Sequence, residues 1–139
     1  MNDNEFLAAF EDCSLQNANF HHADHVRMAF IYLRRYPPAE ALQRFADSLK
    51  RFAAFHGKPD RYHETITWAF LLLIRERLAR QSASDTDIPE WERFAAQNPD
   101  LLNWKNNVLK QYYTEETLAS DLARKTFVFP DRLTESRSC

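Results

Sequence analysis

Residues 19–38 read NFHHADHVRMAFIYLRRYPP. From His22 the apolar side chains Val26, Ala29, Phe30 and Leu33 fall at i, i+3, i+4 and i+7, the spacing of one buried helix face. The spacing predicts a helix over about 22–36, stopped by Pro37-Pro38. Pro38 is suited to the first position of a following helix, where its missing N–H is no loss. That helix is expected over 39–56, with a stripe of Leu42, Phe45, Ala46, Leu49, Phe52 and Ala53. Gly57 then stands where a left-handed C-terminal cap is wanted. After Lys58-Pro59, Asp60 is expected to cap a further helix over 61–80, its stripe being His63, Ile66, Thr67, Phe70, Ile74 and Arg77.

Working outward, Asn4 is expected to cap a short helix over 5–13, and 14–20 reads as a connection. Residues 81–87 (QSASDTD) read as a mobile loop. Residues 89–96 and 99–113 each open on a helix-compatible proline, and 114–125 reads as another helix with Thr114 as its cap. Residues 127–131 (FVFPD) are apolar and then blocked by Pro130, which predicts an extended tail packed on the helices, with 134–139 frayed. One glycine in 139 residues argues against a sheet-rich fold, whose turns would need several. The expected fold is all-α: a single domain over 1–139, a four-helix bundle with additional short helices and an extended C-terminal tail.

Composition narrows the function classes. A formal net charge of −2 gives no reason to expect a nucleic-acid partner. The longest apolar run, 68–74, is too short to span a membrane. The start, MNDNEF, lacks the basic-then-apolar order of a signal peptide. Cys13 and Cys139 form no metal or redox spacing and read as unpaired thiols of a cytoplasmic protein. A small-molecule substrate or ligand is the expected partner; oligomeric state is left open.

The histidines carry the functional expectation. At about 100° per residue, His22 lies in line with Val26, Ala29 and Leu33, and His25 about 60° to one side on the same face, while His21 points elsewhere. Short links make successive helices antiparallel neighbours, so the helices bearing His22 and His63 should run parallel with their first turns at one end. His56 closes the intervening helix at that end too. His22, His25 and His63 are therefore expected as ligands of a divalent transition metal (Zn, Fe, Ni or Cu), with Glu64 as a fourth ligand or as general base on a metal-bound water. His56 is a second acid/base candidate, and Asp24 a group that orients a ligand. Arg77 would need an acidic partner if buried, and Asp131 is placed to return the tail to the bundle.

The stretches FHHADHVRMAFIYL, LKRFAAFHG, YHETIT and YYTEETLASDLARKTFVFPD resemble a family of small bacterial proteins of no established function. That family carries an aromatic-x-His-x-x-His-Leu motif, a Tyr-His-Glu-Thr-Ile-Thr motif and an aromatic-Val-x-Pro-Asp tail. The resemblance spans about 20–131 and implies that His22, His25, Tyr62, His63, Glu64 and Thr67 are its motif positions here. Phe20 stands in place of a commoner Trp, and the link before Tyr62 is shorter. It implies no reaction. At the level of architecture alone the chain is similar to the DinB-like metal-dependent bundles, although there the paired histidines sit on a later helix than the single one.

The leading expectation is a small metalloenzyme that activates water or a substrate oxygen at the His22, His25, His63 and Glu64 site. The alternatives are a non-catalytic module for a small ligand or anion, and a structural or partner-binding protein with a buried histidine network.

Overall fold

The computed structural model describes residues 1–81 and 90–132. Among them the chain is all-α, with seven α-helices and no strand. The expected mobile loop, apart from Gln81, and the expected frayed end lie outside the described residues.

Helix α1 spans Asp3–Glu11. Its cap is Asn2, not Asn4: the Asn2 side chain accepts from the Glu5 N–H at 2.8 Å, and the Glu5 carboxylate accepts from the Asn2 N–H at 3.1 Å. This reciprocal pair satisfies two backbone donors, which Asn4 has no residue in place to match. Helix α2 spans His22–Arg35, and the Asp24 carboxylate accepts from the His21 N–H at 2.9 Å. Helix α3 spans Pro38–Phe55, with Pro38 opening it and Gly57 closing it at φ +73°.

Helix α4 spans Glu64–Gln81, three residues later than its sequence pattern suggests. A 3-10 turn, Pro59–Arg61, occupies the interval, so Asp60 is not its cap. His63 takes that role: its Nδ1 accepts from the Ile66 N–H at 3.1 Å, and its carbonyl accepts from the Thr67 N–H at 3.0 Å and the Thr67 hydroxyl at 2.7 Å.

Helix α2 is more deeply buried than a single stripe implies. Val26, Met28, Ala29, Phe30, Ile31 and Tyr32 are all buried, because α1, α3, α4 and the Pro99–Leu102 turn pack around it. Burial on several sides removes the polar face that the amphipathic pattern assumes. Tyr32 is tied down by its hydroxyl, which donates to Glu11 at 2.7 Å. Around it, Phe10 meets Phe20, Phe45 and Phe52 with ring centroids 5.2–6.2 Å apart, a range suited to aromatic contact. Helix α3 also packs on α1 and α4.

The C-terminal third is more broken than expected. Helix α5 spans Trp91–Gln97. Residues 99–113 form two 3-10 turns, Pro99–Leu102 and Val108–Gln111, and not a helix. Asn103 and Asn107 break it, their side chains accepting from the N–H groups of Asn106 and Leu109 and so competing with helical bonds. Residues 114–125 split at Ser120 into α6 (Glu115–Ala119) and α7 (Asp121–Lys125), because the Ser120 hydroxyl caps α7 at Ala123. Residues 127–131 are extended as expected: Phe127 stacks on Trp68 at 5.3 Å, and Tyr113 donates to the Val128 carbonyl at 2.7 Å. Arg77 finds its acidic partner in Asp100, bonded through both carboxylate oxygens at 3.0 and 2.7 Å. Asp131 accepts from the Thr114 and Thr117 hydroxyls, which holds the tail against α6.

Candidate ligand pocket

A cavity of about 450 Å³ opens where the first turns of α2 and α4 meet the last turns of α3. His22, His25 and His63 all line it, so the histidine-bearing ends do lie together. The inner wall is apolar and aromatic, with Phe20, Val26, Phe45, Phe52, Ile66 and Phe70. Asn17, Lys58, Arg61, Tyr62, Thr67, Trp104 and Arg124 also line it, and among the described residues no Asp or Glu does. Arg124 reaches across from α7 and donates to the Asp60 carbonyl at 2.6 Å, which joins α7 to the turn that precedes α4.

The three histidines differ in what their nitrogens already do. His22 Nε2 lies 2.9 Å from the Leu101 carbonyl. A carbonyl only accepts, so Nε2 carries the proton and, in the neutral ring, Nδ1 is a lone pair. The ring is flanked by Phe70 at 4.8 Å and Trp104 at 5.0 Å. His63 is satisfied at both ends: Nδ1 accepts from Ile66, and Nε2 donates to the Leu118 carbonyl at 2.7 Å. His25 stacks on Phe20 at 4.1 Å, and its ring nitrogens make no hydrogen bond among the described residues.

All three imidazoles are held toward the neutral form, in each case chiefly by desolvation. For His25 the pKa falls to about 4, with repulsion from His22 as the second cause. The bond to Leu101 acts in the opposite direction on His22, and that to Leu118 does so on His63.

Binding a metal through His63 would break a helix cap or a bridge to α6. Glu64 does not line the cavity; it accepts from the Tyr62 hydroxyl at 2.5 Å and faces Lys50 at 3.7 Å. Among the described residues no group of three or more His, Cys, Asp and Glu side chains is arranged to hold a metal ion. His56 lies outside the cavity lining, packed on Phe52 at 4.4 Å. His21 is exposed, and Asp24 is engaged with the backbone of His21.

The YHETIT segment proves to be a clasp. Besides the bonds of His63, the buried Thr65 hydroxyl donates toward the carbonyls of Ala123 at 2.7 Å and Thr126 at 2.9 Å, and accepts from the Val128 N–H at 3.2 Å. The motif therefore fastens the C-terminal segment to the start of α4, on the outer side of the cavity. The sequence reading missed Lys58, Arg61, Arg124 and Trp104 as pocket residues. Lys58 and Arg61 closely precede YHET in the chain, whereas Trp104 and Arg124 arrive only through tertiary packing.

No protein-family model, curated protein or solved structure matches this chain. No helix among the described residues is long and apolar enough to cross a membrane.

Proposed function

We propose that the protein binds a small organic anion in this cavity, with the charged group at Lys58, Arg61 and Arg124 and the apolar part on the phenylalanine wall. The observation that carries the reading is a lining that, among the described residues, has three cationic side chains and no carboxylate around an aromatic interior. Neutral imidazoles add polar groups without adding negative charge. A few polar groups in a concave apolar pocket are the usual make-up of a ligand site. Binding requires no general base, which accords with Glu64 being held by Tyr62 and Lys50. A cytoplasmic location belongs to the same proposal, supported by the free buried thiol of Cys13.

Calorimetry of the untagged chain with aryl and alkyl carboxylates tests it. Saturable binding is expected that survives a chelator and weakens about ten-fold or more when Lys58 and Arg61 are both changed to Ala. Absence of binding by every acid, or its loss on chelation, overturns the reading. The metalloenzyme reading predicts a different result from the same protein: about one equivalent of Zn, Fe, Ni or Cu bound, and lost in His22→Ala and His63→Ala.

A further inference from the structure

Resting on that reading, we infer that the ligand also carries an uncharged hydrogen-bond donor, a hydroxyl or an N–H, at the end that meets His22 and His25. The ligand class is thus a hydroxyl- or amide-bearing organic acid, in contrast to a plain fatty or aryl acid.

The Leu101 carbonyl fixes the proton of neutral His22 on Nε2, so its Nδ1 is an acceptor. Neutral His25 has one N–H and one lone pair, and neither is taken by a protein group among the described residues. Neither nitrogen of His25 is sealed away from solvent, in contrast to Nε2 of His56, which is buried without a partner. His63 contributes no polar demand, because both its nitrogens are bonded. The histidine end therefore presents two lone pairs and one N–H.

A carboxylate or phosphate offers only acceptors, so it would leave both lone pairs without a donor. It would suit imidazolium, but the charged side chains that line the cavity are all cationic. From α2 comes the other histidine; from the link before α4 come Lys58, Arg61 and His63; from α7 comes Arg124. Among the described residues no carboxylate lines the cavity to offset them. Desolvation acts in the same direction. The anion therefore belongs at the cationic side and a donor at the imidazole side. A lone pair that a bound ligand covers and leaves unpaired carries a penalty, which is the basis for discriminating a hydroxyl-bearing ligand from its deoxy analogue.

Calorimetry of the full chain at neutral pH, with chelator present, should compare para-hydroxyphenylacetate with phenylacetate. The hydroxy acid is expected to bind about ten-fold tighter. His25→Phe keeps a ring against Phe20 but removes one of the two acceptors, and should narrow that ratio. On the unaltered protein, the nitrogen resonances of His22 and His25 should move with the hydroxy acid and not with its analogue, a readout that needs no variant. Equal affinities overturn the inference and leave the anion reading in place. Binding of neither acid overturns the inference, and absence of binding by every aryl and alkyl acid overturns both.

Discussion

His63 is bonded at both ring nitrogens and so pins two parts of the fold together. Its two nitrogens join the N-terminus of α4 to the Leu118 carbonyl of α6. Replacing an N-cap and a long-range bridge removes two hydrogen bonds, so His63→Ala is expected to lower stability by about 2 kcal/mol. His63→Asn, which can still accept from Ile66, should recover part of the loss. Denaturant midpoints measure both; an unchanged midpoint for His63→Ala would refute the pin. His25 supplies a pH test. Its folded pKa, about 4, lies below its ordinary value of 6.5. The unfolded chain therefore binds the proton first as pH falls. The neutral ring is tolerated fully above about pH 6.5, and stability declines through the window from there to about 4, by up to about 3 kcal/mol. His25→Phe should flatten that part of the stability profile, and an unaltered slope would count against burial of a neutral imidazole.

At the scale of elements, the clasp between α4 and the C-terminal segment rests on Thr65. Thr65→Val preserves shape but leaves the carbonyls of Ala123 and Thr126 and the N–H of Val128 without their partner. A loss of about 1–3 kcal/mol is expected. Amide exchange should quicken in 121–128 while the middle of α2 stays protected, because local opening follows the weakest fastening. Uniform loss of protection would instead mean that the segment folds only with the whole chain. The junction of α3 and α4 depends on Gly57, whose φ is +73° with open space where a Cβ would sit. Gly57→Ala should therefore cost about 1 kcal/mol from backbone strain alone, with no clash to add to it. Melting curves can check both. The break of 99–113 into turns belongs to the same scale. Apolar spacing and an opening proline favoured a helix, but Asn103 and Asn107 bond locally to the backbone and end it.

For the whole molecule, the cavity is where α2, α3 and α4 fail to close on one another. Ala53 lines it from α3. Ala53→Phe should fill part of the volume and reduce ligand affinity at least ten-fold with little effect on stability, since the added ring occupies existing space. Thermal shift and calorimetry on the same sample separate the two effects; unchanged affinity would place the ligand elsewhere. The convergence of His22, His25 and His63 was legible beforehand, because phase along each helix and short links together restrict which helix ends can meet. The bonds that each ring makes were not. Hydrogen-bond partners such as Leu101 and Leu118 lie 79 and 55 positions away, and nothing local to the histidines names them.

By itself the sequence determined the helical class, the three long helices, the stops at Pro37-Pro38 and Gly57, and the histidine-bearing end. These depend on spacing, backbone restriction and chain length, which are local or nearly so. Only the tertiary structure decided that Glu64 turns toward Tyr62 and Lys50, that His63 is bonded at both nitrogens, and that Arg124 joins Lys58 and Arg61 at the cavity. A side chain's chemistry is set by what desolvates it and what bonds it, and those neighbours are brought by distant parts of the chain.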